Sequence, residues 1–189
     1  MSKLFLAHSF IEFGPLTLFF FVSACWGFYP GATALVIATF VTLIYSVYLL
    51  NRFAYFSLTV SLFTLLSGFA TLYLRQPEWL VLEFTISNIL FGIALITAYR
   101  RKTLILKKLF LHMFAMTDQG WRILTLRWGI AFILIGSTNQ IFWQIRPYEN
   151  EWTLFRFIVT LLTIIFAISQ FSLSKRERLP EASRWGLTL

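Results

Sequence analysis

An all-α, polytopic transmembrane helical bundle is the fold class this sequence predicts, and three observations predict it. Of 189 residues, 58% are hydrophobic, 36 are aromatic and only 13% are charged, more apolar surface than a water-soluble core of this size can hide. Six apolar segments, 10–28, 32–50, 55–74, 79–99, 128–146 and 152–173, each have about the 20 residues that a hydrocarbon core roughly 30 Å thick requires. The basic residues lie between these segments. If all six cross, 13 of the 16 Lys and Arg fall on one side with the C-terminus, which marks that side as cytoplasmic. The same distribution argues against nucleic acid as the reason for the net charge of +8, because no continuous basic face is offered to it. The 189 residues therefore read as a single membrane domain.

The first segment is interrupted early by Glu12, Gly14 and Pro15. Pro near a helix start is tolerated because the amide it lacks has no partner there. The interruption leaves two readings open, a crossing helix or a re-entrant one, and hence six crossings or five. The tetrapeptide Val22-Ser-Ala-Cys25 has the form of a lipoprotein cleavage site, but Glu12 and Pro15 break the apolar run that a signal peptide needs. Cys25 is the only cysteine, so it forms no disulfide within the chain and reads as a small buried hydrophobe. An uncharged turn, Tyr29-Pro-Gly31, is expected to lead into the second segment, and the short link Asn51-Arg-Phe-Ala54 makes the second and third segments an antiparallel hairpin. Ala34 with Ala38, and Ser57 with Ser61, offer small residues at i,i+4 for close helix approach.

Arg75-Gln-Pro-Glu78 closes the hairpin, and the fourth segment follows with Glu83, Ser87 and Asn88 inside it. The stretch 101–116 then places Lys107, Lys108 and His112 on one helical side and Ile105, Leu106, Leu109, Phe110, Met113 and Met116 on the other. It reads as a basic amphipathic helix, lying on the bilayer surface or packed on the bundle. With Arg100, Arg101 and Lys102 it forms the membrane-surface basic group. Its expected partners are anionic lipid headgroups. Thr117 or Asp118 caps the next helix. Trp121 and Trp128, seven apart, share a face suited to a membrane–water boundary, and Trp143 and Arg146 mark the far side. Glu149 and Glu151 introduce the sixth segment, and the tail 174–189 is polar, basic and expected to be mobile.

Charges inside apolar segments are costly and ask for a partner or a function. Counted from Trp79 and Trp152, Glu83 and Arg156 both lie about four residues in, roughly 6 Å deep. Equal depth and opposite sign predict an ion pair. Asn88, Asn139 and Gln140 complete a candidate polar cluster in the outer half of the bundle, either as glue between helices or as a ligand site. On the other side Glu12 is expected to pair with Arg122 or Arg127. No catalytic, cofactor-binding or metal-binding residues are expected. There is one Asp and one Cys, His8 and His112 stand far apart, and no Gly-rich phosphate loop is present. Two function classes remain: a membrane interaction protein, and a small-solute or lipid transporter, for which only the first segment supplies a broken helix where paired breaks are the rule.

Several stretches carry a resemblance: Glu12-Phe-Gly-Pro-Leu16 with Phe19-Phe-Phe21, Ala32 to Thr39, Gly68 to Leu72, Gly120 to Trp128, Asn139 to Trp143, and Trp152 to Arg156. In this order, over residues 10–173, the chain resembles the intracellular septation protein A family, also called YciB. The resemblance implies a bacterial inner-membrane protein of septation and envelope integrity. It further implies contacts with the division and elongation machinery and no established catalytic activity. Against the family pattern, Glu83 stands where a Lys is usual, Gln140 where an acid is usual, and Arg156 in place of a Lys. The three departures fall together in the candidate polar cluster.

Overall fold

A computed structural model describes the backbone of residues 3–50, 55–110 and 114–180, and the side chains of residues 14–45, 60–107, 110 and 114–180. Among them are seven helices: α1 Lys3–Trp26, α2 Phe28–Leu50, α3 Tyr55–Leu74, α4 Glu78–Arg100, α5 Ile105–Phe110, α6 Asp118–Ile145 and α7 Glu149–Arg176. The fold is all-α, with an isolated bridge between Met116 and Arg178. Helices α2, α4 and α7 are long and apolar enough to cross a membrane, and α1 and α3 add apolar stretches Gly14–Trp26 and Val60–Leu74. Helix α6 has 28 residues, but Ser137-Thr-Asn-Gln140 dilutes its apolar run.

The chain forms two compact units. The first contains residues 1–84 and 140–157 and the second residues 85–139 and 158–189, so α4, α6 and α7 each contribute to both. In the first unit α1 packs on α2, and α2 on α3. Its core is Phe19, Phe28, Ala32, Leu35, Leu80, Val81, Trp143 and Trp152. Aromatic rings meet there edge to face, Phe19 with Phe28 at 6.2 Å and Trp143 with Trp152 at 6.5 Å between centroids, the arrangement ring quadrupoles favour. The core of the second unit is Leu95, Leu106, Met116 and Trp121.

Helix ends differ from the sequence expectation in ways the backbone explains. The turn expected at Tyr29-Pro-Gly31 falls instead at Gly27, whose φ of +93° ends α1 while its N–H donates to the Ser23 carbonyl at 2.9 Å. Glycine adopts this conformation without a Cβ penalty. Pro30 then sits in the first turn of α2, where no amide is needed. Gly31 lies within α2 against α1, and a Cβ there would run into Ser23 Oγ. Pro15 lies inside α1 rather than near its start, because the helix begins at Lys3. The link expected at 51–54 lies outside the described residues.

The helix expected over 101–116 is shorter as well, spanning only Ile105–Phe110 among the described residues. Its N-terminal part is used to stop α4. Lys102 adopts φ of +56°, its N–H donates to the Tyr99 carbonyl, and the Thr103 N–H donates to the Ala98 carbonyl at 2.9 Å. This is the paired 5→2 and 6→1 bonding that satisfies the last carbonyls of a helix. Two aromatic and thiol expectations also change. Trp121 is fully buried in the second unit, and Cys25 is exposed.

Candidate functional site

The first unit builds its polar site from three helices. Glu83 lies in the second turn of α4, Arg156 in the second turn of α7 and Thr64 in the middle of α3. Glu83 and Arg156 are 6% and 7% exposed, so neither charge reaches lipid. The two interact as opposite charges, and the Thr64 hydroxyl donates to Glu83 Oε1 at 3.0 Å. Rings surround the guanidinium. Its Cζ lies 4.7 Å from the Phe84 centroid, 5.2 Å from Trp152 and 5.6 Å from Phe19. Trp152 and Phe19 are fully buried, and Trp152 stands four residues before Arg156 on one face of α7. Desolvated contacts of this kind are worth about 2 kcal/mol or more each. Gln140 is half-buried in the same unit.

The second unit handles its buried polar groups with neutral amides and hydroxyls. Asn139, fully buried, donates from Nδ2 to Thr85 Oγ1 at 2.8 Å, joining α6 to α4. Asn88 is buried too. Around this bond α4 and α6 approach at glycines. A Cβ on Gly92 would lie 2.9 Å from the Gly129 carbonyl oxygen, and one on Gly136 would lie 3.0 Å from that of Thr85. Arg127 Nη1 donates to Gln170 Oε1 at 3.1 Å, linking α6 to α7, and Gln170 Nε2 donates to the Phe166 carbonyl.

At the start of α6 the backbone meets the end of α7. The Thr117 N–H donates to the Glu177 carbonyl at 2.8 Å, the Thr117 hydroxyl to Glu177 Oε2 at 3.0 Å, and the Leu179 N–H to the Ala115 carbonyl. Thr117 also accepts the Gly120 N–H on its hydroxyl, so it is the cap. Arg100, Arg101 and Lys102 are exposed at the end of α4, and Lys107 pairs with Asp118 at 2.6 Å. The side chains of Lys108 and Glu12 lie outside the described residues, and with Glu12 goes its expected pairing. The described contacts of its two candidate partners are Gln170 for Arg127 and the Tyr99 ring, at 5.4 Å, for Arg122.

Sequence reasoning missed Thr64, Thr85 and Gln170 as partners, and Gly92, Gly129 and Gly136 as the close-approach residues. The glycines were findable, since Gly129 and Gly136 repeat at seven, the spacing that keeps one helix face turned to a neighbour. The hydroxyls were not, because a threonine in an apolar helix ordinarily bonds its own preceding turn, as Thr125 and Thr163 do here.

Fold and site together define an all-helical membrane protein that buries Glu83 and Arg156 within its apolar helices. A family model described as intracellular septation protein A matches residues 7–180, and the chain belongs to that family. Relatives named inner membrane-spanning protein YciB are similar over most of their length. The one from Bradyrhizobium sp. (strain ORS 278) is 32% identical over 91% of this chain and 86% of its own. That from Agrobacterium fabrum is 30% identical over 88% of this chain and 89% of its own, and that from Afipia carboxidovorans is 29% identical over 91% and 86%. No solved structure matches. The chain is thus a multi-pass protein of the bacterial inner membrane, from a family named for intracellular septation.

Proposed function

We propose that the protein is an interaction component of the inner membrane that supports septation and envelope maintenance. Its contacts are made through lipid-facing helix faces and a basic cytoplasmic surface. The observation that carries this reading is that four polar residues within the apolar helices, Glu83, Arg156, Asn88 and Asn139, are each 8% exposed or less. Groups matched to one another in this way hold helices together, whereas a transport pathway needs polar groups that water and solute can reach. The C-terminal tail and the basic residues Arg100, Arg101, Lys102, Lys107 and Lys108 face the cytoplasm in this reading. There they meet anionic headgroups and the division and elongation proteins that septation requires.

Deleting the gene in the bacterium that carries it is expected to lengthen cells and raise their sensitivity to osmotic shock, with both defects restored by the intact chain. Cysteines introduced in the tail are expected to react with an impermeant maleimide only after the cells are opened. Solute flux through the purified protein in liposomes that is lost in E83Q would replace this reading with the transporter one.

A further inference from the structure

Where α4 ends and α6 begins, the second unit has a cavity of about 360 Å³ lined by Tyr99, Asp118, Gln119, Arg122 and Ile123. Its volume falls at the lower end of the roughly 300–1,000 Å³ of small-ligand sites. The groups around it are unequal in charge. Asp118 is paired with Lys107 at 2.6 Å on the exposed side, and Arg122 is the cation among the lining residues. Its guanidinium is held 5.4 Å from the Tyr99 ring, and its Nε is buried with no hydrogen-bond partner among the described residues. A planar guanidinium held against a ring can present its two Nη groups to two oxygens of one phosphate group. Gln119 offers an amide donor beside it, and Ile123 an apolar wall.

We propose that this cavity binds a phosphate group, presented by an anionic phospholipid or by a soluble phosphate ester, with Arg122 as its main contact. A lipid headgroup fits the position, since Arg100, Arg101 and Lys102 directly follow Tyr99 in sequence and are exposed. They would concentrate anionic lipid at the mouth. The inference rests on the proposed function in one respect, that this basic end meets an anionic leaflet. Its test uses neither leaflet nor dividing cell, so failure of the site and failure of the septation role are told apart.

The full chain, purified in detergent, is titrated with phosphatidylglycerol and bound lipid is counted by native mass spectrometry, with unfolding temperature as the check on folding. Arg122→Gln is expected to weaken binding at least fivefold, and Arg146→Gln, which removes the same charge past the other end of α6, less than twofold. Glycerol 3-phosphate and inorganic phosphate are added as competitors. If they leave lipid bound, the source is the headgroup. If they displace it and bind in an Arg122-dependent way, the source is soluble, and in both cases the site stands. No lipid or phosphate binding by the intact chain, or equal loss in the two variants, overturns it. Should Arg122→Gln fail to fold, Arg122→Lys is read instead. It keeps the charge but not the fork and is expected to weaken binding two- to threefold, and unchanged affinity overturns the proposal.

Discussion

The two units solve the same problem, a polar side chain in an apolar helix, by different means. The first accepts full charges. It encloses Glu83 and Arg156, gives the carboxylate a hydroxyl from Thr64, and lines the guanidinium with Phe19, Phe84 and Trp152. The second places a neutral amide, Asn139, against the Thr85 hydroxyl and relies on backbone approach at Gly92, Gly129 and Gly136. The difference shows what each strategy demands. A buried charge stripped of water costs several kcal/mol, which opposite charge, hydrogen bonds and rings must offset. A neutral amide needs one partner, and the helices can then come as close as their smallest residues permit.

This contrast predicts unequal sensitivities. The largest effect is expected from Arg156→Ala, which strands the Glu83 carboxylate. A loss of about 3–5 kcal/mol in unfolding free energy, measured by denaturant titration in mixed micelles, is typical of a broken buried pair. Combining it with Glu83→Leu is expected to recover much of that loss, because the stranded charge goes as well. If the double variant is no better than Arg156→Ala, the two charges do not act as a pair. Next comes Thr64→Val, expected to cost about 1.5–3 kcal/mol, the range for a hydrogen bond to a charged group. An effect near zero in the same titration would mean that the Glu83 carboxylate is indifferent to its hydroxyl.

In the second unit Gly136→Val is expected to cost roughly 1–3 kcal/mol by overpacking. The new side chain meets Ile89 and the Thr85 carbonyl oxygen of α4, and a silent substitution would show that the two helices can separate freely. The smallest effect is expected from Asn139→Leu, about 0.6–1.7 kcal/mol, because Thr85 can turn its hydroxyl to its own helix. A loss as large as that of Arg156→Ala would abolish the distinction between the units.

Particular residues show where sequence reading succeeds and where it stops. The all-helical membrane fold is legible because apolar runs of about 20 residues match the thickness of a bilayer and exceed what a soluble core of this size can cover. Glu83 and Arg156 stand out for a similar reason, since charge in such a run is rare. Their equal count from Trp79 and Trp152 puts them at one depth before any packing is known. The helix ends were less legible. Whether Gly27 or Gly31 makes the turn, and whether Lys102 breaks a helix, depends on single φ angles that neighbouring contacts select. Trp121 misled because a tryptophan beside arginines suits a membrane boundary equally well as a core, and here it is core.

From the order of residues alone came the solvent in which this protein folds, the helical form of its segments, and the identity of the charges that must be hidden. These follow from composition and local periodicity, which act over a few residues. Which hydroxyl meets Glu83, which rings close around Arg156, and which glycines let α4 and α6 touch were decided by tertiary packing. Such partners lie up to 137 positions apart, as Phe19 and Arg156 do, and helix periodicity carries no information about which distant face a side chain will find.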